Sequence, residues 1–169
     1  MRKLAMIALL GAYAVPGAAR AAESHCGQDE TYVKTSIEGD RFEVAGGKLA
    51  LQKSTNANVR TLAQTLIKDH SKSLKDAMAL AHRLGVTVPG KPSETQQWQL
   101  GTVGGFAGNA FDRSWSDLER LDHMQDISET SDEVKTGCNA AVRKAARQEL
   151  PTLKQHLKLS KAALTSTTP

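Results

Sequence analysis

Asn56–Gly85, NANVRTLAQTLIKDHSKSLKDAMALAHRLG, is the stretch whose reading decides the fold. Its apolar residues Val59, Leu62, Ala63, Leu66, Ile67, Leu74, Ala77, Met78, Ala81 and Leu84 recur with the roughly 3.6-residue period of an amphipathic helix. Asn56 or Asn58 can cap its start, and Gly85 followed by Pro89 ends it. A helix this long with one wide apolar face needs partner helices. His70 interrupts that face, one turn after Leu66 and Ile67 and one turn before Leu74.

The flanking sequence supplies the partners. Gln28–Lys53 reads as a first helix with Val33, Ile37, Val44 and Leu51 along one side. Gly46-Gly47 in its interior costs about 1 kcal/mol per glycine relative to alanine, which leaves a close helix contact or a kink as its reason. The turn at Ser54–Asn56 makes the first two helices antiparallel neighbours. Residues 85–108 are interrupted by Pro and Gly, with a short helix starting at Ser93 under a cap supported by Gln96. A third long helix follows from Asn109 to about Val134, carrying Phe111, Trp115, Leu118, His123 and Ile127 on one face. The fourth runs from near Asn139 to Leu164, with Pro151 inside it expected to kink it or remove one hydrogen bond. No strand pattern occurs. The fold class is therefore all-α, with a bundle of four long helices over 29–164.

The chain begins with Arg2 and Lys3, an apolar run from Leu4 to Val15, and Ala19-Arg20-Ala21 as a small-x-small cleavage site. These are the parts of a secretion signal over 1–21, and the apolar run of about 12 residues is short for crossing roughly 30 Å of hydrocarbon. A leader, 22–28, and a frayed tail, 165–169, bracket the bundle. The signal carries three basic residues and no acid, so the formal net charge of +4 falls to about +1 without it. Nothing in that balance favours nucleic acid. No later stretch is long and apolar enough to span a membrane, so the expected location is exported and periplasmic, in or near the envelope.

In an oxidising compartment the two cysteines, Cys26 and Cys138, are expected to form one disulfide; a metal or redox pair would lack the CxxC spacing. That pairing tests the topology. In an up-down-up-down bundle the starts of helices one and four lie at opposite ends, roughly 38 Å apart for ~25 residues, whereas a disulfide needs Cα atoms within about 7 Å. A long crossover between helices two and three, covering the full length, puts both cysteines at one end. That is a ferritin-like four-helix bundle.

The segments TYVKTSIEGDRFEVAGGKLALQKS, NVRTLAQTLIKDHSKS, GVTVP, AFDRSW, LDHM and LPTLKQHLKLSKAAL resemble the exported bacterial proteins grouped as domain of unknown function 4142, over about 29–164. The resemblance implies a ferritin-like helical bundle, a membrane or outer-membrane label, and no agreed activity. The chain departs from that pattern at Ala45-Gly46 and around Lys135 to Arg143.

The histidines carry the functional clue. His70, His123 and His156 lie about 14, 14 and 17 residues into their helices, roughly 21, 21 and 26 Å along, and Glu43 is at the same level of the first helix. Each long helix thus offers one ligand in a single layer, with Asp69, Asp122 and Glu119 close by to support it. Three histidines with Glu43 suit one transition-metal ion, Zn, Cu, Ni or Fe. The alternative is a polar core layer in which aspartates and backbone carbonyls satisfy the imidazoles. Di-iron chemistry is disfavoured, because Ile67 and Leu153 stand three before His70 and His156, where a bridging glutamate belongs. His25 in the leader and His82 near a helix end fall outside the layer.

There is no nucleophile elbow, phosphate loop or HExxH, so no catalytic residue is assigned. The sequence reads as a non-enzymatic binding or stress-related accessory protein of the envelope. The alternatives are a divergent ferritin-like metalloenzyme, or an interaction module meeting an envelope partner through 98–115. Trp98, Phe106, Phe111 and Trp115 are expected to plug one end of the bundle.

Overall fold

The computed structural model describes residues 23–167. The segment read as a signal, 1–21, lies outside the described residues, as do the last two residues of the tail. Among the described residues the chain is entirely helical: α1 Gly27–Lys53, α2 Ala57–Leu84, the short α3 Glu94–Gly104, α4 Gly108–Thr136 and α5 Ala140–Ser166.

Local chemistry sets these boundaries. Asn56 Oδ1 accepts from the Asn58 and Val59 amides at the start of α2. Gly85 ends that helix in the left-handed region at φ 72°, which costs glycine little. Ser93 and Gln96 exchange hydrogen bonds across the first turn of α3. Asn139 Oδ1 caps α5 through the Ala141 and Val142 amides. Pro151 lies within α5 and supplies no amide to the ladder.

Contacts at the two ends fix the topology. At one end the Cys26–Cys138 disulfide, with Cα atoms 5.9 Å apart, joins the starts of α1 and α5. There, too, the Glu23 amide donates to Arg83 O at the close of α2. Asp29 reinforces that end: its carboxylate accepts from the amides of Cys26, Cys138 and Asn139. At the other end Asn56 Nδ2 donates to Ser166 O, and the Lys53 ammonium lies 5.5 Å from the Phe111 ring centre. The 85–107 segment climbs along α1 between the ends. Arg41 Nε donates to Pro89 O, Leu100 lies over Gly46, and Leu49 lies against Gly104. Packed pairs are α1 with α2, α4 with α5, α2 with α5, and α1 with α4.

Gly47 marks where α1 and α2 come closest. A Cβ there would stand 2.8 Å from Ile67 Cγ1 and 2.9 Å from Ala63 O, so the glycine pair serves a close contact. The apolar core falls into two parts. One contains Ala50, Val59, Leu62, Leu66, Phe111 and Trp115. The other, toward the disulfide, contains Val33, Ile37, Leu80, Leu84 and Val142.

Two expectations need correction. Trp98 is 70% exposed and Phe106 43%, so only Phe111 and Trp115 fill the core. The reason is that α3 rides outside the long helices, with Val103 its one buried residue among those described. α5 also runs beyond its expected end at Leu164. α5 continues through Ser166, whose hydroxyl donates to Ala163 O, and Thr167 is buried with its hydroxyl donating to Leu164 O.

Candidate metal centre

A polar layer occupies the height between the two apolar clusters. α1 contributes Asp40 and Glu43, α2 Asp69 and His70, α4 Glu119, Asp122 and His123, and α5 His156. His70, His123 and His156 are all buried, and their ring centres lie 5.0, 5.2 and 5.8 Å apart. Each offers a ring nitrogen within 4.8 Å of the other two. A metal at ordinary metal–nitrogen distances of about 2.1 Å requires nitrogens some 3–4 Å apart, a small contraction from this arrangement.

On each ring one nitrogen is engaged and the other has no hydrogen-bond partner. His123 Nδ1 donates to Glu119 O at 2.8 Å, a backbone carbonyl that can only accept, while His70 Nδ1 lies 2.7 Å from Asp40 Oδ1 and His156 Nε2 3.2 Å from Asp69 Oδ2. His70 Nε2, His123 Nε2 and His156 Nδ1 are buried and unpartnered. An imidazole steered by an oxygen acceptor, with its opposite nitrogen aimed inward, is how proteins orient metal-binding histidines.

Electrostatics favours the binding form. Burial, followed by repulsion from His70, lowers His123 to about 3 and His156 to about 4. Burial also lowers His70. All three imidazoles are therefore neutral at pH 7 and their free lone pairs are available.

The carboxyl groups behave oppositely. Burial, then the charge of Glu119 and of Asp122, raises Glu43 well above the carboxylate range. Burial raises Glu119 to about 8 and also raises Asp122 and Asp40. Beyond Asp40, burial raises Asp126 and Glu149, which line a small cavity of about 30 Å³ against His70.

The sequence-derived candidates sort as follows. The three histidines come together. Glu43 does not group with all three; it groups with Asp122 and His123, with Oε1 3.8 Å from His123 Nδ1. Asp69 supports His156. Glu119 supports His123 through its carbonyl while its side chain is buried beside Glu43 and Asp122. Sequence reasoning missed Asp40, the partner of His70. The signal was present: Asp40 follows Ile37 by three on the face that Val33 and Ile37 bury, so a carboxylate there needs a buried partner.

A family profile described as a domain of unknown function, DUF4142, matches residues 14–163. The chain belongs to the DUF4142 family. This DUF4142 chain is also similar in fold to the crystal structure of a DUF305 fragment from Deinococcus radiodurans. The TM-score is 0.73 at 16% identity, over 85% of this chain and 99% of that one. At that identity the likeness concerns the fold alone. No curated protein matches the DUF4142 chain. No described helix is long and apolar enough to cross a membrane.

Proposed function

We propose that this DUF4142 protein is an exported accessory bundle of the cell envelope that binds one transition-metal ion, Zn, Cu, Ni or Fe, between His70, His123 and His156. One observation carries the reading: three buried imidazoles from three helices each bring a ring nitrogen within 4.8 Å of the other two, and each ring has one nitrogen beside an oxygen and one without a partner. Packing alone would leave three buried acceptors unsatisfied in one layer, a costly arrangement. The set of imidazole donors suits borderline cations rather than Mg²⁺ or Ca²⁺.

The scaffold we propose is the ferritin-like bundle of 29–164, with α3 carried on its crossover. Export rests on the charged start, apolar run and Ala19-Arg20-Ala21 of residues 1–21, with 22–28 as leader. The role in this proposal is binding rather than turnover. A partner surface over 98–115 is the second reading, favoured by the exposure of Trp98 and Phe106.

The test is metal content of protein exported and purified without tag or chelator, followed by Zn²⁺ and Cu²⁺ titration of wild type, His70→Ala and His156→Ala. The expected result is about one equivalent on wild type, with affinity reduced by more than ~100-fold in either variant. Metal-free wild type that takes up neither ion at micromolar concentration would refute it.

A further inference from the structure

Beside His123 lies a second convergence of ligands that the three-histidine reading does not use. Glu43 on α1 and Glu119 and Asp122 on α4, the last two three residues apart on one helix face, meet inside the bundle. Glu43, Asp122 and His123 each present a ligand atom within 4.8 Å of the others. Glu43 and Glu119 have no solvent exposure at all. Both oxygens of Glu43, both of Glu119 and Oδ2 of Asp122 are buried without a hydrogen-bond partner.

The wall around them is built for a guest. Trp115 Nε1, also buried and unpartnered, borders the same space. A Cβ at Gly46 would come within 3.2 Å of Glu119 Oε1 and 3.3 Å of Trp115 Nε1, so the glycine keeps the approach to both atoms clear. No lysine or arginine forms an ion pair with these carboxyls among the described residues. The nearest cationisable group is His123 Nδ1, 3.8 Å from Glu43 Oε1, and its proton already goes to Glu119 O. Several buried carboxyl groups crowded together, with no lysine or arginine to pair them, form an expensive arrangement that a bound cation completes by displacing their protons.

We propose that Glu43, Glu119 and Asp122 form a second cation seat, separate from the three-histidine centre and suited to a hard divalent ion such as Mn²⁺. Oxygen-only donors select harder cations than imidazoles do. On this proposal the chain holds two adjoining seats of contrasting chemistry, which meet at His123. Indole N–H is a donor only, so Trp115 serves an oxygen bound to the ion or a carboxylate oxygen the ion leaves free.

The test uses the purified full chain, stripped of metal, with Mn²⁺ as probe in the presence and absence of saturating Zn²⁺. Binding is read by native mass spectrometry and Mn²⁺ electron paramagnetic resonance, with folding checked by circular dichroism. Wild type is expected to bind about one Mn²⁺ in addition to the Zn²⁺. Glu43→Gln/Glu119→Gln should weaken Mn²⁺ by roughly 100-fold or more while Zn²⁺ affinity changes by less than about tenfold. Gly46→Ala, which leaves every ligand in place, should weaken Mn²⁺ alone. His70→Ala/His156→Ala should lose Zn²⁺ and keep Mn²⁺, so failure of the histidine centre is read apart from failure of this seat. Wild type that binds no Mn²⁺ at millimolar concentration would overturn the proposal. Mn²⁺ binding undiminished in the folded glutamine variant would overturn it too.

Discussion

His123 Nδ1 lies 2.8 Å from the carbonyl oxygen of Glu119, one turn earlier on α4. A carbonyl cannot donate, so Nδ1 holds the proton and the buried, unpartnered Nε2 carries the lone pair. With burial holding His123 near 3 and His156 near 4, protons compete for the metal far below the ~6.5 at which an exposed imidazole titrates. We predict that Zn²⁺ affinity stays nearly flat as pH falls from 7 to about 5, where a surface histidine cluster would already release its ion. Titration at several pH values checks this, and a steep loss near pH 6.5 would contradict it.

Asp40 holds His70 as the carbonyl holds His123, but through a side chain that can be removed. Asp40→Ala should weaken metal binding by roughly 10–100-fold without removing a ligand. The metal-free variant loses the partner of the buried His70 Nδ1 and should be less stable by about 1–3 kcal/mol, offset by the relief of a buried carboxyl. Competition against a chelator measures the affinity.

The buried acids and the histidines should pull stability in opposite directions with pH. Glu119 titrates near 8 in the fold and near 4.5 when unfolded, so its contribution is fully present below 4.5 and lost as pH rises through about 8. The histidines are lowered, so the unfolded chain takes up protons first, and their contribution falls as pH drops below ~6.5. Metal-free protein should thus be most stable at mildly acidic pH. Glu119→Gln should gain on wild type steadily between pH 5 and 8, as read by urea unfolding. A constant difference over that range would contradict the assignment.

Two glycines of α1 should respond oppositely to alanine. At Gly47 the new methyl would press on the Ala63 carbonyl and on Ile67, and should cost about 1–3 kcal/mol after the gain in helix propensity. At Gly39 a Cβ meets nothing within 4 Å, so alanine should add roughly 0.5–1 kcal/mol. Chemical denaturation of the two variants decides the point.

Much of this arrangement was legible in the sequence because periodicity, caps and a cysteine pair are local or nearly local signals. Asn56, Gly85 and the Ser93–Gln96 pair mark helix ends as read from their spacing. The Cys26–Cys138 pair brings the starts of α1 and α5 together. Counting residues from helix starts placed the histidines at one height, because rise per residue is nearly constant. Rotation about each helix axis is not constrained in that way. Glu43 was placed at the right level, yet its side chain lies with Asp122 and His123, and Asp40 three residues earlier takes His70. Trp98 was misjudged because hydrophobicity alone does not tell whether a crossover helix enters the core or rides over it.

His156 lies on α5 and Cys138 just before it, both after Cys26, His70 and His123 in the chain. Until α5 docks, an emerging polypeptide offers two of the three imidazoles of the layer and no partner for Cys26. On the proposed reading, ion capture and covalent closure become available together, when α5 docks. A chain cut before Cys138 would then neither complete the three-imidazole layer nor lock its own ends.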